Sequence, residues 1–180
     1  VLYQTLDTGA QWRLYAKAPL GSDPFPKGLY YEDLASVYKI IHKVDSVAVV
    51  DCRELYAYRM RSNSIIRQEY RHIKGESALI IADQLYRDIC NWYPDLSKAA
   101  ASRCFSVCRM VFAQIPTKKN HSRQIQDEDL LWSVLSLHRK TVLRDREARP
   151  RERFAAFVAY FGKSAFSLFC CVARGLGLLR

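Results

Sequence analysis

Apolar positions follow two rhythms along the chain. Up to about residue 70 they come in short runs broken by turn residues, and from Glu76 onward they recur at helical spacing. In the first part, Leu2, Leu6, Ala10 and Leu14 predict a helix over 3–17, with Gly9 as its weak point. Three prolines and two glycines make 19–28 a loop. Leu29 to Tyr31 reads as a short strand, and Asp33 opens a helix whose apolar side is Leu34, Val37, Ile40 and Ile41, ending near Lys43. The β-branched run Val47 to Val50 and the alternating segment Leu55 to Arg61 read as two strands joined through Asp51-Cys52-Arg53-Glu54.

The second part predicts helices only. One runs from Glu76 to Tyr93 and stops at Pro94, and the next runs from Leu96 to Gln114 and stops at Pro116. Asp127-Glu128-Asp129 places three acids at the positive end of a third helix, which reaches about Arg146. Pro150 opens a last helix to about Ala173. Strands first and helices afterwards predict an α/β fold: the trailing part of a mixed sheet over 1–70, a helical extension over 71–147 and a basic amphipathic helix over 148–180.

Charge sharpens this division. The net charge is +10, and residues 101–180 hold 15 Lys/Arg against 6 Asp/Glu while residues 1–100 hold 13 against 12. A basic tail beside an apolar segment fits an anionic lipid surface better than nucleic acid, whose readers spread basic residues across the folded body. The six cysteines, Cys52, Cys90, Cys104, Cys108, Cys170 and Cys171, show no C-x-x-C pair and no histidine at zinc spacing. They read as buried thiols in a reducing cytosol. No secretory leader precedes them, and the opening Val1-Leu2-Tyr3-Gln4 looks cut.

Candidate chemistry gathers between residues 12 and 65. Pro24-Phe25-Pro26-Lys27-Gly28-Leu29-Tyr30-Tyr31-Glu32-Asp33 sets an adjacent carboxylate pair at a helix start behind a rigid turn. On its own such a pair is a helix cap or a general base. In the strand Leu55 to Arg61, period two puts Arg59 and Arg61 on one face, where two guanidiniums reach one phosphate or line a solvated edge, and Ser64 adds a hydroxyl. Trp12 and Tyr15 suit either an acceptor groove or the core.

In this order, Trp12-Arg13-Leu14-Tyr15, the segment 24–33, and Leu55-Tyr56-Ala57-Tyr58-Arg59-Met60-Arg61 with Ser64-Ile65 resemble the acceptor-side half of family 2 glycosyltransferases, inverting enzymes of the GT-A fold. The resemblance implies Asp33 as catalytic base, with Glu32, Tyr31 and Trp12 on the acceptor and Arg59, Arg61 and Ser64 on the diphosphate. It implies a nucleotide-sugar donor, a surface-glycan or lipid-linked acceptor, and Mg²⁺ or Mn²⁺ whose ligands lie in a donor-binding half before residue 1. This chain alone is then expected to be inactive. Asp127-Glu128-Asp129 lies downstream of the base and reads as a cap, so no metal ligands are assigned here.

The tail sets the location. Seven basic residues fall between Arg139 and Arg153, followed by the twenty residues Phe154 to Ala173. That is the length of a membrane span, but a central Lys163 costs about 2.5–3.5 kcal/mol on insertion and cancels most of the apolar gain. Helical phase puts Phe154, Phe157, Val158, Phe161, Ala165, Leu168, Phe169 and Val172 on one face, so the segment reads as an interfacial helix or one packed on the body. The expected place is the cytoplasmic face of the cell membrane, as a peripheral protein. The alternatives are a non-enzymatic helical adaptor for acidic lipid or nucleic acid, and a catalytically dead remnant.

Overall fold

The computed structural model describes residues 1–4, 8–49, 57, 59, 68–116 and 122–176, without the Trp12 side chain. Seven α-helices follow one another among these: α1 Lys17–Leu20, α2 Glu32–His42, α3 His72–Trp92, α4 Ser97–Phe112, α5 Ser122–Arg144, α6 Pro150–Val158 and α7 Lys163–Gly175. Short 3₁₀ turns lie at Ala10–Trp12, Pro94–Leu96 and Ala159–Phe161.

The helix α4 is the axis of the molecule. Its run of small residues, Ala99-Ala100-Ala101-Ser102, lets neighbours approach closely, and every residue from Ala99 to Arg109 is buried. A helix covered on all sides must be the centre of a bundle. On one side lies α3, through Ala78, Ile81, Leu85 and Ile89, and on another α5, through Leu131, Leu135, His138 and Val142. Both stripes keep the alternating three- and four-residue spacing of one helical face. The helix α2 rests on α3, where Tyr38 donates to Asp88 Oδ2 at 2.7 Å and His42 stacks on Trp92 with ring centroids 3.8 Å apart.

Where α6 and α7 close the bundle, aromatic rings fill the space. Phe166 of α7 is fully buried, with ring centroids 5.3 Å from Phe112, 5.6 Å from Trp132 and 6.5 Å from Phe105. Arg139 ties the turn before α7 to α5: Nη1 donates to Ala159 O at 2.8 Å, and the guanidinium lies 4.7 Å from the Tyr160 ring centre.

The α/β expectation is overturned, since no strand or sheet occurs among the described residues. Leu29 to Tyr31 is a turn, with Tyr31 left-handed at φ 62°. Val47 and Val49 are exposed and pair with no strand among the described residues, so solvent rather than a sheet ladder meets their backbone. Of the segment Leu55 to Arg61, only Ala57 and Arg59 lie within the described residues. The helix expected over 3–17 is replaced by the 3₁₀ turn at Ala10–Trp12 and the single turn of α1. At the other end, Gly162 adopts φ 96° and divides the expected single helix into α6 and α7.

Candidate functional site

The acidic motif is held between α2, α3 and α4. Tyr30 N–H donates to Ser77 Oγ at 3.1 Å and Gln114 Nε2 to the Tyr31 hydroxyl at 3.4 Å, which holds the Tyr30 backbone and the Tyr31 ring. A left-handed conformation is costly for a tyrosine, and here it turns the chain into α2: Tyr31 O accepts from Leu34 N and Ala35 N at 3.0 and 3.3 Å. Glu32 is exposed, whereas Asp33 is half-buried and its Oδ1 accepts the Leu34 N–H at 2.8 Å. One guanidinium that feels the Asp33 charge is Arg103 of α4. Of the residues expected on the diphosphate, Arg59 is exposed and Arg61 and Ser64 lie outside the described residues, as does the Trp12 side chain.

Beside this motif lies a buried polar cluster that periodicity does not announce. Lys74 is 1% exposed; its Nζ donates to Gln68 O at 2.8 Å and Gln114 Oε1 at 3.2 Å and sits 5.9 Å from the Tyr30 ring centre. Burial, then the nearby Arg71, lowers its pKa. Asp127, expected as a helix cap, instead lies inside α5, where its Oδ2 accepts the Tyr70 hydroxyl at 2.6 Å and its Oδ1 accepts His72 Nδ1–H at 2.7 Å. Burial and this bond raise the Tyr70 pKa. The close approach needs Gly75, since a Cβ there would stand 2.5 Å from the Tyr70 hydroxyl. Thiols are poor nucleophiles here: burial pushes Cys104 and Cys170 up to about 12.

A second cluster joins α4 to the start of α6. Arg109 grips Glu152 with Nε to Oε2 at 2.7 Å and Nη2 to Oε1 at 2.8 Å, and the carboxylate is 1% exposed. Arg149 and Arg151 converge on Gln4 Oε1 at 2.7 and 3.3 Å, and the Gln4 amide donates to Ser106. Arg103, buried on the same helix as Arg109, donates to Thr8 Oγ1 at 3.1 Å. Burial brings its pKa down to about 10, against the pull of Asp33 and Glu152. Sequence reasoning missed both buried arginines. The signal was a charge set among alanines, cysteines and phenylalanine, where a solvated arginine has no place.

The third feature is an apolar face on α6 and α7. Phe154, Phe157 and Phe161 are 56%, 49% and 67% exposed, and Leu168, Val172 and Leu176 of α7 are 66%, 53% and 68% exposed. Phe157 touches Phe161 at 5.3 Å between centroids, and Phe154 touches Phe169 at 5.7 Å, which links the two helices into one surface. On α7 the buried stripe Phe166, Cys170 and Ala173 faces the bundle, and Leu168 and Val172 point away from it. Between residues 139 and 174 there are nine basic and three acidic residues, and two of the acids, Asp145 and Glu152, are buried. No helix among the described residues is long and apolar enough to cross a membrane. Among the same residues, no three His, Cys, Asp or Glu side chains gather as a cation site.

No known protein family matches this chain, and neither a curated protein nor a solved structure matches it. With no strand among the described residues, the likeness of residues 12–65 to a GT-A fragment of a family 2 glycosyltransferase is not supported. Three short motifs in order do not outweigh the absence of a sheet to carry them.

Proposed function

We propose that this chain is a helical module that docks on an anionic membrane surface through α6 and α7. The supporting observation is the apolar face from Phe154 to Leu176 beside the basic residues of 139–174, where Glu147 is the one exposed acid and Lys163 is paired with Asp129 of α5. Scattered exposed apolar residues need no explanation, but linked phenylalanine rings and a leucine–valine stripe form a patch that water disfavours. A bilayer interface takes apolar side chains to a shallow depth and attracts each neighbouring Lys or Arg by about 1 kcal/mol when the lipid is anionic. Nucleic acid satisfies the charge and leaves the phenylalanines in water.

The test is flotation with phosphatidylserine-containing and neutral vesicles. Binding is expected to the former alone and to weaken with salt. Phe157→Ser with Leu168→Ser is expected to reduce partitioning more than tenfold, since each side chain contributes about 1.5–3 kcal/mol when fully buried. Equal flotation of the variant, or tighter binding to random duplex DNA than to vesicles, would overturn the reading.

A second reading keeps the transfer chemistry expected of the acidic motif, without the GT-A sheet. Asp33 would take the proton of an acceptor hydroxyl on a surface glycan or lipid-linked sugar. What favours it is a half-buried carboxylate beside the Tyr30 and Tyr31 rings and within the attraction of Arg103. The nucleotide-sugar donor, with its Mg²⁺ or Mn²⁺, needs binding residues other than those assigned here. Asp33→Asn is expected to lower incorporation of labelled sugar in membranes by at least about a hundredfold. Unchanged incorporation would remove Asp33 from the role.

A further inference from the structure

The arginines at the α4–α6 junction have more positive charge than their neighbours answer. Four guanidiniums, from Arg103, Arg109, Arg149 and Arg151, share one region with Glu152, which is gripped by the bidentate Arg109 and also accepts from Arg151 Nε at 3.3 Å. Two other carboxylates stand near. Asp145 is occupied by the Tyr3 hydroxyl at 2.6 Å and the Glu147 N–H at 3.1 Å, and Asp33 acts on Arg103 from the α2 side. Among the described residues, the hydrogen-bond acceptors of Arg103 and Arg149 are the neutral oxygens of Thr8 and Gln4.

The geometry at Gln4 is the informative part. Its amide oxygen lies 2.7 Å from Arg149 Nη1 and 3.3 Å from Arg151 Nη2, a position clamped by two cationic donors and filled by an uncharged atom. Charge-assisted bonds to an anionic oxygen are roughly twice as strong as those to a neutral one. The Ser106 hydroxyl on α4 accepts from the Gln4 amide nitrogen and itself donates to Glu152 Oε1 at 3.3 Å, so the opening lies on the amide-oxygen side, towards the two arginines. Arg149 and Arg151 also flank the first turn of α6, whose dipole favours negative charge. The two arginines are half-buried and exposed respectively, so a ligand reaches them from solvent by displacing one glutamine side chain.

We propose that Arg149 and Arg151, backed by Arg103, form a binding site for a phosphate or diphosphate group, which takes the place of the Gln4 amide oxygen. Planar guanidinium forks match phosphate oxygens in pairs, as a lysine would not. The site lies at the start of α6, one turn before Phe154, and its argument does not depend on the docking reading.

Calorimetric titration of the full chain with pyrophosphate tests it. Saturable binding is expected, weakened about tenfold or more by Arg149→Gln, since bonds from a guanidinium to an anionic oxygen are the strong ones. Arg149→Lys keeps the charge and loses the fork, and is expected to fall between the two. Lys98→Gln removes the same charge from the exposed start of α4 and is expected to change nothing. Vesicles of phosphatidic acid compared with phosphatidylserine at equal charge separate the sources. A preference for the phosphomonoester that Arg149→Gln abolishes assigns the site to a lipid headgroup; pyrophosphate binding without it assigns a soluble phosphate. A Kd for pyrophosphate weaker than about 1 mM, or equal losses in Lys98→Gln and Arg149→Gln, would overturn the proposal.

Discussion

Glu152→Ala is expected to destabilise the fold by about 3–5 kcal/mol, because it leaves a guanidinium buried without its carboxylate. Arg109 projects from the central helix, where its side chain is 8% exposed, and both of its described donors end on Glu152. The loss is deepened by position: Arg149 and Arg151 stand close by, and Glu152 is the anion that offsets their mutual repulsion. A typical domain has a total stability of about 5–15 kcal/mol, so such a variant is near its limit. Urea unfolding followed by circular dichroism measures the shift. Replacing both partners, Arg109→Met with Glu152→Leu, is expected to restore much of the loss, since a buried ion pair exchanged for apolar side chains is often close to neutral. A single-variant loss below about 1 kcal/mol would show that the pair is hydrated rather than buried.

Phe166→Ala is expected to cost about 3–5 kcal/mol, the range for removing a buried ring. No other residue of α7 reaches so far into the bundle: the ring meets Phe105 and Phe112 of α4, Trp132 of α5 and Phe169 of its own helix. The cavity left behind is walled by rings that cannot collapse into it without losing their own contacts. Leu168→Ser, two residues on and exposed, is expected to stay within about 0.5 kcal/mol. A thermal melt of both variants separates the alternatives. Were α7 a loosely attached arm, Phe166→Ala would melt with the parent chain.

The helices were legible where one face carried a sustained stripe. Ile81, Leu85 and Ile89 in α3 and the apolar run of α4 announce themselves, and α2 begins one residue before the expected Asp33. Misreadings arose where a local signal had two physical meanings. Acids early in a helix serve as dipole partners or as buried acceptors, and Asp127 proved to be the second because Tyr70 and His72, more than fifty residues away, supply its donors. Valine at alternate positions favours a strand only when another strand is there to pair with it, and Val47 and Val49 have none among the described residues. A single helical phase over residues 154–173 requires one helix to continue through Gly162, whose positive φ resets it. The amphipathic face survived this break, since Phe154 and Leu168 still reach solvent. Of the candidate site, Tyr31 and Asp33 were named from the acidic motif and its resemblance, and their role is a proposal. Arg103, Lys74 and the Arg109–Glu152 pair depend on contacts between distant segments that no local pattern encodes.

The all-round burial of α4 constrains how this protein is made. Its coat comes from α3 before it and from α5, Glu152 and Phe166 after it. While a ribosome has delivered residues only as far as α5, the central helix has a bare guanidinium and an open aromatic notch along one flank. A chain truncated after α5 is therefore expected to bind a hydrophobic dye that the full chain does not.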